Sequence, residues 1–217
     1  RSFNLAERYR VPTILLSDAE IGHMRGKFAV PERLEVVDRM VRRDKVWHDG
    51  FAYDESLVPK MPIFGTGARV HVTGLSHDIA GYPTSDREVH RELVIRLHEK
   101  LSRHSGDICQ IEVQRPGSRR MLVAYGSTNY PAWEVMRAHE DVGLVTLKTI
   151  WPFPAEKLGQ AIAGSQEVVV AEMNLGQVFT EVHTVACGQG CRRVRLFSDV
   201  GGEVPSPRQL EHFMEAG

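Results

Sequence analysis

The fold is decided by residues 121–177, MLVAYGSTNYPAWEVMRAHEDVGLVTLKTIWPFPAEKLGQAIAGSQEVVVAEMNLGQ. Three apolar runs, at residues 121–125, 142–147 and 167–171, alternate in this segment with stretches of helical periodicity. The βαβαβα order predicts an α/β fold with parallel strands and right-handed crossovers. Because such sheets meet ligands and partners beyond the carboxyl ends of their strands, we expect function in the three loops that follow the runs.

Further elements are predicted around this segment. Residues 86–104 carry an apolar face and begin at Asp86, a good N-cap, so they predict a helix. Three more elements complete the domain: short strands at 108–114 and 193–197, and a last helix from Pro205 to about Met214.

The first part of the chain is less regular. Residues 1–18 predict a helix followed by a buried parallel strand at Val11-Pro-Thr-Ile-Leu-Leu16. Residues 19–85 are rich in loops, with one strand predicted at 68–73 and an extended piece at 34–37. A stretch of this kind is usually functional or faces a partner, and we expect it to cover a neighbouring subunit.

Composition excludes two classes of function. The 217 residues carry a formal net charge of -1, so no nucleic-acid backbone is predicted as a partner. No apolar run approaches the roughly 20 residues that cross a bilayer, and no signal-peptide pattern is found. Because the chain opens at Arg1 inside a helical pattern, we interpret it as a piece of a longer chain.

The three cysteines indicate the compartment rather than a metal site. An odd number without a secretory signal predicts a reducing environment, so we expect a cytoplasmic protein. Cys187-Gly-Gln-Gly-Cys191 has a spacing that can begin a metal or cluster site, but no second pair exists and Cys109 is distant in sequence. We therefore predict two small residues near a turn and no metal.

The turn after the first apolar run is one candidate site. Gly126-Ser127-Thr128 precedes a helix, and the backbone N–H groups and hydroxyls at a helix N-terminus favour an anion. The alternative is simple capping of the helix by Ser127, Thr128 or Asn129. Both interpretations stay open from the sequence.

The loop after the third run, Glu172-Met-Asn-Leu-Gly-Gln177, is the strongest candidate. A carboxylate at the end of a buried strand is usually paired, because unpaired burial is costly. Asn174 is expected to cap the next helix, and Gly176 to allow a close approach of the backbone. The loop either shapes a site or interface, or serves only for capping and strand-end solvation.

Two other motifs are considered as functional sites. The role of the first stays open, and a catalytic triad is excluded for the second. In Ile150-Trp-Pro-Phe-Pro154 the prolines fix an extended path, and Trp151 and Phe153 pack either in the core or at an interface. Ser76-His77-Asp78 is no catalytic triad, because a triad is assembled from positions distant in sequence. His77 remains a candidate for contact with substrate or cofactor.

Several of these motifs, in their order along the chain, resemble a known family. Tyr125-Gly-Ser-Thr128, Ile150–Pro154 and Glu172–Gln177 resemble the last domain of the alpha subunit of 2-oxoacid:ferredoxin oxidoreductases, a domain similar to the carboxyl-terminal domain of transketolase. Phe3-Asn-Leu-Ala-Glu7 with the strand ending at Asp18 resembles the end of the preceding domain, which faces the pyrimidine of thiamine diphosphate. Residues 73–78, followed by Gly81-Tyr-Pro83, resemble the connector of the 2-oxoglutarate type.

The resemblance implies a division into three parts and a set of partners. Residues 1–25 would end the pyrimidine-binding domain, 26–85 would be the loop-rich connector, and 86–217 the transketolase-like α/β domain. The assembled enzyme would use thiamine diphosphate, magnesium and iron–sulfur clusters to convert a 2-oxoacid and coenzyme A to acyl-CoA, with electrons passing to ferredoxin. The beta subunit would hold the diphosphate, magnesium and clusters, so this chain would be inactive alone.

The family also implies where this portion acts. It would support assembly and closure of the active site, with no catalytic residue assigned to it. The connector favours 2-oxoglutarate over pyruvate, while branched-chain oxoacids remain open. Residues expected near substrate or cofactor are Ser127, Thr128, Glu172, Asn174, Gln177 and His77. The alternatives are a non-catalytic assembly module and another thiamine enzyme of the transketolase or pyruvate dehydrogenase type.

Overall fold

The computed structural model describes residues 1–42, 55–67 and 71–216. The chain forms two compact units. The first, here called the helix–loop unit, consists of Arg1–Leu16 and Gly26–Ser105. The second, called the sheet unit, consists of Ser17–Arg25 and Gly106–Gly217. The three-part division implied by the family resemblance stays a prediction.

The sheet unit is built on five strands: β5 Ile111–Gln114, β6 Arg120–Ala124, β7 Val142–Leu147, β8 Glu167–Glu172 and β9 Arg193–Ser198. They lie in the order β5-β7-β6-β8-β9. Strands β6, β7, β8 and β9 are parallel to their neighbours, as the βαβ pattern predicted, and β5 pairs antiparallel with β7 at one edge.

Helices follow the strands of this sheet and cover both of its faces. A single 3₁₀ turn, Gly126–Thr128, leads into the helix after β6. Among the described helices of the whole chain, none is long and apolar enough to cross a membrane. The helices of the sheet unit are α2 Ala19–His23, α5 Asn129–Ala138, α6 Ala155–Ile162, α7 Phe179–Gly188 and α8 Pro207–Glu215, and a short turn of helix, α4, covers Ser105–Ile108.

The core of the sheet unit lies on the two faces of the sheet. Because successive strand residues point to opposite faces, Met121 and Val123 join one apolar cluster, whereas Leu122 and Ala124 join the other. All six residues of β7 and of β8 are buried. This explains why their sequences are nearly continuous apolar runs, as expected for central parallel strands.

The helix–loop unit has much less regular structure. It contains two short strand pairs, and only a few of its described apolar side chains are buried: Tyr9, Leu57, Val58 and Pro59. Its elements are α1 Ser2–Tyr9, β1 Val41–Arg42 paired parallel with β2 Met61–Pro62, β3 Ser76–His77 paired antiparallel with β4 Pro83–Thr84, and α3 Arg87–Arg103.

Helix α3 confirms the predicted helix but not its predicted packing. Asp86 caps it by accepting hydrogen bonds from the backbone N–H groups of Glu88 and Val89. The side chains that it buries are Arg96 and Lys100, while three apolar side chains remain 42–51% exposed. Those exposed side chains are Val94, Ile95 and Leu97. Charged side chains can be buried here because they donate to backbone carbonyls.

Some predicted strands are absent. Residues 11–16 form no strand, and Ile14, Leu15 and Leu16 are 80%, 80% and 72% exposed. Residues 34–37 are also unpaired, and 71–73 form no strand, while 68–70 lie outside the described residues. An apolar run becomes a strand only where another strand supplies its hydrogen bonds, and in the described part of the chain none does so for these segments.

Candidate functional site

The carboxyl ends of β6 and β8 lie next to each other, because the two strands pair in parallel with Ala124 opposite Ala171. Tyr125, the residue after β6, and Glu172, the last residue of β8, therefore meet at this edge of the sheet. Tyr125 donates its hydroxyl hydrogen to Oε2 of Glu172 over 2.9 Å. The two loops singled out from the sequence are thus joined by a direct side-chain contact.

Glu172 is fully buried and holds the start of α7. Its carboxylate accepts hydrogen bonds from the backbone N–H of Val178 at 3.0 Å and from that of Phe179 at 2.7 Å, besides the Tyr125 hydroxyl. The first N–H groups of a helix have no partner within the helix, and the helix dipole favours a negative charge at that end. Glu172, the last residue of β8, therefore caps the N-terminus of α7, which is the next helix in the chain.

The contact with Glu172 changes the acidity of Tyr125. Burial first, and then the hydrogen bond and charge of Glu172, raise the pKa of Tyr125 to about 12. Each of these effects disfavours the tyrosinate, because a second negative charge would stand beside a buried carboxylate. Tyr125 is consequently a neutral hydrogen-bond donor at physiological pH and not a general base.

Asn174 closes the loop between β8 and α7. Its Nδ2 donates to the Tyr125 hydroxyl at 2.8 Å, and its Oδ1 accepts from the N–H groups of Gly176 and Gln177 at 2.8 and 2.9 Å. The prediction that Asn174 caps the next helix is wrong in this respect, because Glu172 takes the N–H groups of α7. Gln177 contributes its backbone N–H, and the residue itself is exposed.

Gly176 confirms the expected close approach of the backbone. Its φ is +96°, and an added methyl group would lie 2.8 Å from Leu196. A side chain is therefore excluded by space as well as by backbone conformation. The loop thus fits only one tight path, which supports a structural function.

The turn Gly126–Thr128 binds the side-chain carboxylate of Asp18, a residue of the same chain. Oδ2 of Asp18 accepts the backbone N–H of Ser127 over 2.6 Å. An anion was one of the two interpretations that the sequence left open at this turn, and the residue that takes the position comes from more than 100 positions earlier. The Ser127 hydroxyl lies 3.4 Å from Sδ of Met173, so it points towards the loop after β8.

The alternative of capping by the turn's own side chains is not observed. Thr128 occupies the N-cap position of α5, but its side chain makes no capping hydrogen bond to that helix. Thr128 is buried, and its hydroxyl donates to the carbonyls of Tyr125 and Ala171 at 2.8 and 3.0 Å. Asn129 instead accepts a hydrogen bond from the Thr146 hydroxyl on β7. These side chains tie three neighbouring strands together.

The aromatic–proline corner after β7 divides between the two predicted roles. Phe153 packs against the core cluster that contains Met121 and Val123. Trp151 is 74% exposed, and its peptide bond to Pro152 is cis. Phe153 therefore belongs to the core, whereas Trp151 is available to a partner.

His77 belongs to the helix–loop unit. Its Nε2 lies 3.1 Å from the Thr73 hydroxyl, and it lines a small pocket with Glu92 and Arg96. Ser76 contacts His90 rather than His77, at 2.7 Å, and Asp78 accepts the N–H of Tyr82 at 2.9 Å. The three consecutive residues therefore do not form a triad, as expected.

The cysteines have separate surroundings in the sheet unit. Cys109 donates to the Pro152 carbonyl, Cys187 lies 3.7 Å from Nδ1 of His183, and Cys191 is near two carbonyls. All three are free thiols. Within residues 1–42, 55–67 and 71–216, no group of three or more His, Cys, Asp or Glu side chains is arranged to hold a metal ion.

Sequence reasoning missed Asp18 and Tyr125 as members of this site. Tyr125 was counted as the end of a strand, although a phenol beside a polar loop signals a hydrogen-bond donor. Asp18 was assigned to the end of a separate strand, and no local pattern connects it with residue 127. Its partner becomes visible only in the folded chain.

Family comparison identifies the class. Residues 1–96 match the model of pyruvate flavodoxin/ferredoxin oxidoreductase, thiamine diphosphate-binding, and residues 120–210 match pyruvate:ferredoxin oxidoreductase core domain II. Both matches are to domains of the same pyruvate flavodoxin/ferredoxin oxidoreductase group, and together they cover most of the chain. The chain belongs to the 2-oxoacid:ferredoxin oxidoreductase family, which confirms the resemblance drawn from its motifs. The transketolase and pyruvate dehydrogenase alternative is thereby set aside.

Curated relatives are similar over nearly the whole chain. The 2-oxoglutarate synthase subunit KorA of Methanocaldococcus jannaschii is 36% identical over 97% of this chain, and that of Methanothermobacter thermautotrophicus is 39% identical over 97%. The ketoisovalerate oxidoreductase subunit VorB of Methanothermobacter marburgensis is 27% identical over 96%. The chain spans 57% of the length of each of the two KorA subunits and 53% of VorB.

A solved structure has the same fold. The 2-oxoglutarate:ferredoxin oxidoreductase from Magnetococcus marinus, with 2-oxoglutarate, coenzyme A and succinyl-CoA bound, matches with a TM-score of 0.83 at 22% identity. The match covers 98% of this chain and 38% of that chain. At this identity the match confirms the predicted fold class and says nothing about ligands.

Proposed function

We propose that this chain is a portion of the alpha subunit of a thiamine diphosphate-dependent 2-oxoglutarate:ferredoxin oxidoreductase. The whole enzyme would decarboxylate the oxoacid oxidatively, join the acyl group to coenzyme A and pass the electrons to ferredoxin. The supporting observation is the order of similarity among curated relatives. Four 2-oxoglutarate synthase subunits are 32–39% identical to the chain, against 26–27% for two ketoisovalerate subunits and 25% for an indolepyruvate subunit.

Within that enzyme, the sheet unit supports assembly and closure of the site rather than chemistry. The closed hydrogen-bond network at the carboxyl edge of the sheet supports this role. Glu172, Tyr125 and Asn174 use their polar atoms on one another and on backbone N–H groups. Groups committed in this way orient a loop, and the Glu172 carboxylate is fully buried, so a substrate does not reach it to transfer a proton.

Six residues are proposed to lie near substrate or cofactor in the assembled enzyme. Each would act by shape and position, because the fixed loops present their backbone and their exposed side chains to whatever is bound. Exposed Gln177 and half-buried Ser127 are the ones on the sheet unit with side chains least committed to structure. The full set is Ser127, Thr128, Glu172, Asn174, Gln177 and His77.

The cofactors are proposed to be held mainly outside this chain. The described residues offer no cluster of carboxylates, imidazoles or thiols that fits magnesium or an iron–sulfur cluster. Thiamine diphosphate, magnesium and the clusters would therefore reach the complex on a beta subunit, in a hetero-oligomer that also binds coenzyme A and ferredoxin. The free thiols of the chain fit a cytoplasmic location.

A second candidate function is an assembly module without any part in the site. It is favoured by the same closed network and by the exposed apolar side chains of the helix–loop unit, among them Ile14, Leu15 and Phe28. Exposed apolar side chains in such numbers mark interaction surfaces. The two proposals differ in whether changes at the carboxyl edge alter turnover in an intact complex.

The substrate is tested in the purified complex. We expect the highest kcat/KM with 2-oxoglutarate in a coenzyme A-dependent reduction of ferredoxin, and lower values with pyruvate and 2-oxoisovalerate. Visible absorption of iron–sulfur clusters should accompany the activity. Equal activity with the three oxoacids would contradict the substrate, and a complex without cluster absorption would contradict the enzyme class.

The role of the carboxyl edge is tested by Asn174→Ala, which removes three hydrogen bonds from the loop. We expect the complex to assemble, as measured by size-exclusion chromatography, and turnover to fall about tenfold because the loop no longer has one path. Leu175→Ala is the matched control, since that side chain is 84% exposed in the same loop. Loss of assembly in N174A, with normal turnover per complex, would support the assembly module.

A further inference from the structure

We infer that Ser17–Arg25 is a releasable strap, anchored to the carboxyl edge of the sheet by Asp18 on the Gly126–Ser127 turn. In this view Asp18 is a positioning residue. It places a short, exposed helix of the chain at the edge where the loops after β6 and β8 meet. The inference is independent of the proposed enzymatic activity, because it concerns the internal contacts of the sheet unit alone.

The Asp18 carboxylate is directed away from its own helix. Asp18 occupies the N-cap position of α2, with the extended backbone that an N-cap requires, yet its side chain makes no capping hydrogen bond there. Its Oδ2 instead accepts the N–H of Ser127 over 2.6 Å. Asp18 therefore bonds to a turn that is distant in sequence instead of capping its own helix.

Residue 126 is shaped to receive that carboxylate. Gly126 has a φ of +57°, and a methyl group added to it would lie 2.8 Å from Oδ2 of Asp18 and 3.3 Å from Oδ1. The missing side chain leaves the space in which the carboxylate sits. The hydrogen bond and the glycine are separate observations, and both point to the same contact.

The strap has little else that holds it. Apart from Asp18, every residue of Ser17–Arg25 is exposed, including Ile21 at 51% and Met24 at 68%. Of the strap's residues, Asp18 alone has a hydrogen bond to the remainder of the described sheet unit. Segments with few buried contacts open at low free-energy cost, so one carboxylate decides whether the strap is docked.

The docked strap also decides what the turn can bind. The Ser127 N–H that favoured an external anion is already used by Asp18. A phosphate or carboxylate ligand would reach this N–H only by displacing the strap. The turn therefore binds the strap of the same chain, and it can bind a ligand only after the strap has left.

The test is hydrogen exchange, followed by mass spectrometry of peptides that cover residues 17–25, in the protein as it is isolated. Asp18→Ala removes the acceptor, and Gly126→Ala fills the space that the carboxylate needs. We expect each change to speed exchange of the strap amides about tenfold, since a hydrogen bond to a charged group is lost. Asp18→Asn keeps one acceptor oxygen and should restore most of the protection.

Gly164→Ala is the matched control for backbone strain. Gly164 also has a positive φ, of +82°, but an added methyl group would meet no atom within 4 Å. It should leave exchange of the strap unchanged while costing similar strain. The inference is overturned if D18A leaves strap exchange unchanged, or if G164A speeds it as much as G126A does.

Discussion

The sheet unit and the helix–loop unit are stabilised in different ways. The sheet unit buries two apolar clusters on the faces of a five-stranded sheet. In the helix–loop unit, the described contacts are mostly polar and involve cations. Arg39 forms a two-pronged ion pair with Glu7, at 2.8 and 2.9 Å, and buried Lys100 donates to the Arg10 carbonyl at 3.2 Å.

We infer from these contacts that the sheet unit is the one able to fold by itself. Burial of apolar surface is the main driving force of folding, and the sheet unit has enough of it to fold around its own core. Directional polar contacts fix a geometry but add little net stability each. We therefore expect mutations to be costly in the sheet unit and mild in the helix–loop unit, with the exposed apolar side chains of the latter serving contacts with a partner.

The sharpest form of this comparison uses the same substitution in both units. Leu122 is fully buried in β6, whereas Leu15 is 80% exposed. We expect Leu122→Ala to lower the free energy of unfolding by about 3 kcal/mol, through lost burial and the cavity left behind. Leu15→Ala should change it by less than about 0.5 kcal/mol. Chemical denaturation of both variants measures the two values.

A large cost at Leu15 would break the comparison. A change above about 1 kcal/mol would mean that this side chain is buried in the protein as isolated. The helix–loop unit would then have an apolar core of its own or a bound partner under the conditions of the measurement. Repeating the denaturation at several protein concentrations would separate these two cases.

Two glycines give a second and smaller contrast. A methyl group at Gly143 in β7 would lie 2.4 Å from the Arg115 carbonyl oxygen and 2.4 Å from Sδ of Met121. At Gly74, in the helix–loop unit, it would meet nothing within 4 Å. We expect Gly143→Ala to cost about 2 kcal/mol by overpacking and Gly74→Ala to be close to neutral. Thermal unfolding of the two variants tests this, and equal costs would contradict it.

The third contrast concerns pH. Burial first, and then the charges of Arg96 and Arg10, lower the pKa of Lys100 from 10.5 to about 8. Between these values the unfolded chain binds more protons than the folded one, so stability should rise as pH increases from about 8. Lys100→Met should remove this rise, of about 2 kcal/mol between pH 8 and 10, in denaturation curves.

The pH measurement has an upper limit, set by Tyr125, and a control variant at Lys148. Above about pH 10 the raised pKa of Tyr125 acts in the opposite direction, since the unfolded chain then loses a proton that the folded chain keeps. Lys148→Met is the control, because Lys148 is exposed and forms a surface ion pair with Glu112. The rise should persist in K148M, and its persistence in K100M would assign it to other groups.

The sheet unit was predictable because its signals are local. The run at 142–147 coincides with β7, and those at 167–171 and 193–197 fall one residue short of β8 and β9. Central parallel strands bury both faces, so hydrophobicity alone marks them. The polar loops after β6 and β8 were recognisable for the same reason, since each interrupts an apolar run at the carboxyl edge.

The remainder depended on contacts between distant residues. Val11–Leu16 has the composition of a buried strand, but composition does not supply the neighbouring strand that pairing requires. The burial of Lys100 and Arg96 could not be read from the sequence of α3, because a buried cation is rare unless specific acceptors surround it. The partnership of Asp18 with Ser127 was likewise invisible, since nothing in either local sequence refers to the other.

The division of the chain has one more consequence, for attempts to cut the molecule apart. The sheet unit is discontinuous, because Ser17–Arg25 belongs to it although Gly26–Ser105 stands between them and the rest of that unit. A fragment that starts at Gly106 would keep the whole sheet but would leave the Ser127 N–H without its acceptor. The helix–loop unit is discontinuous too, because Arg1–Leu16 belongs to it, so a single cut in the chain does not separate the two units.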